Sequence, residues 1–116
     1  MTDNELLELA AKAAEINGVY VEENRMIREF CFKKYEYIRA DSFEWNPLVN
    51  DGDALRLAVK LGMAVSICDG VLGFTVILGV YDSESNPIKE PHYNDPHAAT
   101  RRAIVRAAAE IGKDMK

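Results

Sequence analysis

The chain's chemistry-bearing side chains suit recognition better than bond-making. Guanidinium groups grip phosphate and carboxylate in bidentate fashion, which makes Arg56, Arg101, Arg102 and Arg106 candidate anion contacts. The same four also read as a solvated helix surface, because exposed charges seldom act specifically. The single tryptophan, Trp45, stands in a turn beside a helix start. There an indole either plugs the core or stacks on a planar ligand. Tyr93, in the loop before the last helix, is a second stacking candidate.

Bond-making is poorly provided for. Catalysis needs groups brought together with matched protonation states, and the chain has only two histidines, His92 and His97, both near the same helix-capping loop. No Gly-rich phosphate loop precedes a helix, and no His-Glu-x-x-His or paired-Cys spacing occurs. His92 with Asp95, or His97 with the loop acids, imitates a metal site, yet loop histidines are ordinarily solvated. Asp51 and Asp53 read as helix caps. Cys31 and Cys68 lie far apart among apolar neighbours and read as buried free thiols in a reducing compartment. The expectation is a non-enzyme with no cofactor and no metal.

Three helices and intervening strands must position these residues. Thr2 and Glu5 form a capping box for a helix over 3–16 whose stripe is Leu7, Ala10, Ala11 and Ala14, and Gly18 suits its left-handed end. Val19–Val21 and Met26–Ile38 are rich in β-favouring residues and predict a strand pair or meander. Phe43 to Pro47 reads as a turn, because Pro47 lacks an amide donor and disfavours helix at Asn46. Asn50 or Asp51 then caps a helix from about Asp53 to Leu61, with Leu55, Ala58, Val59 and Leu61 as its stripe and Gly62 as its stop. Met63–Cys68 and Val71–Val80 flank Asp69-Gly70, a hairpin signature because both turn residues need positive φ. Residues 81–96 read as a long loop, either a binding loop or a mobile edge. Asp95 caps the last helix and Pro96 fills its first turn. Ile104, Ala107, Ala108 and Ile111 form its stripe, and Gly112 signals its end or fraying. The fold class is α+β, a small, mostly antiparallel sheet packed with three helices in the order α-β-β-α-β-β-α.

Composition sets the frame. A chain of 116 residues, 48% apolar, holds enough apolar side chains for the core of one domain spanning 1–116. No apolar run approaches the roughly 20 residues that span a bilayer, and no secretory leader precedes the first helix, so a cytosolic protein without membrane contact is expected. The net charge of −5 argues against general nucleic-acid binding. The segment after His97 is nevertheless net positive, which suits either a small anion or docking of the last helix on an acidic body.

Trp45-Asn46-Pro47 followed by Asp53-Ala54, the Asp69-Gly70 hairpin, the closing helix around Ala103-Ile104-Val105-Arg106-Ala107-Ala108 and the opening Leu6-Leu7-Glu8-Leu9-Ala10 occur in a recognisable order. In these features the chain resembles the phage ABA sandwich domain, a group of short phage-encoded proteins. The resemblance covers most of the chain. It implies phage or prophage origin, action in the host bacterial cytoplasm, and helices packed around a small sheet. Arg106 matches a recurring position in that family's last helix.

Two functions are then expected to compete. One is a counter-defence accessory protein that sequesters a small anionic ligand, such as a nucleotide immune signal, at a subunit interface of a homo-oligomer. Trp45 or Tyr93 would stack on the ligand, and Arg56, Arg101, Arg102 and Arg106 would clamp it. The other is an acidic inhibitor or regulator that docks on a basic host defence or nucleic-acid-binding protein.

Overall fold

Thr2 sets the first helix going: the Glu5 amide donates to its hydroxyl at 3.2 Å. The helix α1 then runs Asp3–Ala13 in the computed structural model, which describes residues 2–16, 18–21, 26–33, 36–68, 73–78 and 88–115. It closes at Glu15, not Gly18. Glu15 takes the left-handed conformation at φ 59 and donates to Lys12 O at 3.1 Å, while Ile16 donates to Ala11 O at 2.9 Å. Those two bonds satisfy carbonyls at the helix end and bring Ile16 onto the core, which offsets the unfavourable φ of a non-glycine residue. Gly18 is instead the first residue of a strand.

The strands are β1 (Gly18–Val21), β2 (Met26–Lys33) and β3 (Glu36–Trp45), an antiparallel meander with a register shift between Glu29 and Cys31. The chain stays extended through Trp45, so the turn expected from Phe43 begins only at Asn46. The helix α2 follows, Asp51–Lys60, with Asn50 as its cap. Gly62, at φ 65, ends it as expected.

A second antiparallel sheet comprises β4 (Ala64–Cys68), β5 (Phe74–Leu78) and β6 (Ile88–Pro91), in that order. Cys68 stands opposite Phe74, so the connection spans 69–73; the Asp69-Gly70 turn itself lies outside the described residues. The strand β6 falls within the stretch expected to be loop. It alternates half-buried Ile88 and Glu90 with exposed Lys89 and Pro91, and a proline is tolerated on an edge strand, where a missing donor breaks no ladder. The rest of that expected loop, 81–87, lies outside the described residues.

The last helix, α3 (Pro96–Asp114), is capped by Asp95, whose Oδ1 accepts from the Ala98 amide at 3.0 Å. It is the hub of the fold, touching α1, α2, β5 and β6. Its buried surface is wider than one stripe: Ala103, Ile104, Val105, Ala107, Ala108, Ala109 and Gly112. The α+β class, the three helices and the antiparallel pairing are those read from the sequence, with a third strand added to each pair. Cys68 is a free thiol but only half-buried, and the Cys31 side chain lies outside the described residues. Among the described residues no helix is long and apolar enough to cross a membrane.

Candidate functional site

The face that α2 turns inward decides where a ligand has room. Its apolar residues extend almost all round, at 54, 55, 57, 58, 59 and 61. The core takes Ala54, Leu57, Ala58 and Leu61, at helical spacing. Leu55 and Val59, expected in the buried stripe, are instead 64% and 72% exposed. The rotation is fixed by contacts with the preceding turn. The Asp53 carboxylate accepts from the Asn46 amide at 3.0 Å, while the Asp53 amide donates to Asn50 Oδ1 at 2.9 Å. The Trp45-Asn46-Pro47 turn is thereby tied to the first turn of α2, and Asp53 faces inward.

Rotated this way, α2 leaves a trough between itself, α3 and β4. Its volume is about 550 Å³. Ala54, Leu55 and Ala58 line it from α2, Ile104 from α3, and Val65 and Ile67 from alternate positions of β4. Pro96, His97, Thr100 and Arg101 complete it along the first turns of α3, with Asp51 across from them. Volume and lining fit the usual small-molecule site, apolar walls with a few placed polar groups.

The polar end is where α2 and α3 both begin. Arg101 donates to Asp51 Oδ1 at 2.6 Å and, through Nε, to Leu48 O at 2.8 Å. His97 Nδ1 lies 3.8 Å from Asp51 Oδ2. Helix N-termini carry partial positive charge. Beside these two helix starts a guanidinium and an imidazole converge on one carboxylate, so the chain places its own anion where a ligand's anion would be stabilised.

Beneath the trough runs a buried polar line. Thr75 Oγ1 lies 2.8 Å from His92 Nε2 and 2.8 Å from Thr100 Oγ1. His92, expected as a solvated loop histidine, is buried. The line reaches the trough through Thr100 alone.

The sequence-derived candidates separate in space. Trp45 is 7% exposed and belongs to the core cluster, so it serves as a plug. Tyr93, at φ 54, is 87% exposed and does not line the trough. Arg101 is the one candidate arginine in the trough wall. Arg56 pairs with Asp53 at 2.7 Å. Arg102 lies 3.1 Å from Asp3 and 3.9 Å from Glu90, and Arg106 lies 2.6 Å from Glu90. Arg102 and Arg106 flank a second, smaller cavity of about 250 Å³ with Leu6 and Glu90, where they tie α3 to α1 and β6.

Thr100, Leu55 and Ile67 are trough walls, and Asp51 more than a cap, that the sequence does not reveal on its own. One signal was available: His97, Thr100, Arg101 and Ile104 recur at i, i+3, i+4 and i+7, a single face of α3. Among the described residues no cluster of three or more potential metal ligands occurs. Comparison with protein-family models, with curated proteins and with solved structures gives no match to the chain.

Proposed function

We propose that the chain is a non-catalytic binding protein that sequesters a small ligand with a flat apolar body and one anionic group. The observation that carries this reading is the trough of about 550 Å³, whose walls are apolar and whose one polar end holds Arg101, His97 and Thr100. The body would lie between Leu55, Ala58, Ile67 and Ile104, and the anion would displace Asp51 from Arg101. A nucleotide has this form, with a base to stack on aliphatic walls and a phosphate for the guanidinium. Taken with the resemblance to the phage ABA sandwich domain, the reading is of a phage accessory protein. It would act in the host bacterial cytoplasm by withdrawing a nucleotide immune signal.

Thermal melting with a panel of cyclic and linear nucleotides tests it. At a hundredfold excess over the dissociation constant, a bound nucleotide adds about 2.7 kcal/mol of stability. Leu55→Asp, at an exposed position that leaves the core intact, should abolish the shift. A panel that leaves the melting temperature unchanged would remove the nucleotide reading.

One feature favours a second reading, an acidic inhibitor docked on a basic host protein. Arg56, Arg101, Arg102 and Arg106 all have carboxylate partners within the fold. With those cations engaged internally, the excess of acidic groups in a chain of net charge −5 is left for a partner to meet. Salt-sensitive capture of a basic partner, by a protein that no nucleotide stabilises, is the outcome this reading expects.

A further inference from the structure

The sheet formed by β4, β5 and β6 has two edges of different construction. At β6, Lys89 and Pro91 are exposed, and Arg106 donates to the Lys89 carbonyl at 3.2 Å. Edge charge, proline and a side chain laid on the backbone are devices that keep a sheet edge from pairing with another chain. Among the described residues β4 has none of them. Ala64-Val65-Ser66-Ile67-Cys68 contains no charge and no proline, and it pairs with β5 through all five positions without a register shift. Among the described residues β5 is its only strand partner. On the trough side of the same strand, Leu55 and Ile67 are 64% and 60% exposed. Bare strand backbone beside large exposed aliphatics marks an association surface.

We infer that this edge pairs with β4 of a second copy, antiparallel about a two-fold axis at Ser66, which joins two three-stranded sheets into one. The strand is self-complementary in that register: Val65 of one copy meets Ile67 of the other, and Ala64 meets Cys68. Charge fits the same axis. The helix α2 presents an exposed acid in its first turn, Asp51, and an exposed base in its last, Lys60, while Asp53 is turned inward. In the inferred dimer the two-fold axis brings Asp51 of each α2 toward Lys60 of the other, with the exposed Leu55 side chains between them. An isologous contact of this kind needs only one patch, used twice. The pairing stands apart from the ligand reading, because it forms without ligand.

Sedimentation of the full chain without added nucleotide, over a range of concentrations, tests it. The mass should be twice that of the chain and fall by half in Ile67→Lys, with the circular dichroism spectrum unchanged. Oxidation of Ser66→Cys should give a disulfide-linked dimer joined at that position, since opposed residues in an antiparallel pair sit about 4.5–5.5 Å apart. Amides of residues 64–68 in the wild type should gain exchange protection as concentration rises, a readout that holds even if Ile67→Lys fails to fold. A mass of one chain with concentration-independent exchange at 64–68 would overturn the inference and leave the edge to a different protein. A dimer that keeps its mass in folded Ile67→Lys would overturn it as well.

Discussion

Asp51 and Arg101, fifty residues apart in the chain, meet at 2.6 Å where α2 and α3 both begin. The contact ties the two helices together and also fills the anion position of the trough from within. These two roles predict opposite effects for the two partners on ligand binding.

Asp51→Asn should strengthen nucleotide binding by up to roughly fivefold, or about 1 kcal/mol, the scale of a half-exposed ion pair. It removes the competing carboxylate and leaves Arg101 for the phosphate. Arg101→Ala should abolish binding, since it takes away the guanidinium itself. Titration calorimetry with any nucleotide that raises the melting temperature separates the two. If Asp51→Asn weakened binding, Asp51 would be a ligand contact and the competition argument would fall.

The line from His92 through Thr75 to Thr100 carries a stability cost for losing its middle member. Thr75→Val keeps the side-chain shape but strands His92 Nε2 in a buried site and takes the partner from the Thr100 hydroxyl. An unsatisfied buried polar group costs about 1–3 kcal/mol. Urea unfolding should show a loss of that size for Thr75→Val and a smaller one for Thr75→Ser, which keeps the hydroxyl. Equal stability of Thr75→Val and wild type would mean that the hydrogen bonds contribute nothing net.

How far the sequence carried depends on the range of the interaction involved. Thr2, Gly62 and Asp95 mark their helix boundaries correctly because a cap or stop acts within three or four residues. The face of α2 was not legible: apolar residues surround the helix, and the bond from Asn46 to Asp53 that fixes its rotation is a tertiary choice. Burial of His92 depends on Thr75, seventeen residues away. The arginines were identifiable as cations, but not as paired ones, since Arg102 meets Asp3 across ninety-nine residues. The trough inherits all of these distances. Its α3 wall could be read from periodicity, and its α2 and β4 walls could not.

Gly112 shows the same effect at a position where local and tertiary preferences have opposite sign. As a residue near a helix end it read as an end or fraying signal, yet it lies buried within α3. Alanine is favoured over glycine inside a helix by about 1 kcal/mol, so propensity alone predicts that Gly112→Ala stabilises the protein. A Cβ at this position, however, would collide with the carbonyl oxygen of Leu9 on α1, a backbone atom with no rotamer by which to retreat. The helices would have to separate, and separation loosens Leu7, Ala10, Ala108 and Ala109, all of which are buried in the same cluster. Overpacking of this kind costs about 1–3 kcal/mol, enough to outweigh the gain in propensity. Gly112→Ala should therefore lower the urea midpoint, and Gly112→Val should lower it further. A raised midpoint for Gly112→Ala would show that α1 and α3 do not approach this closely.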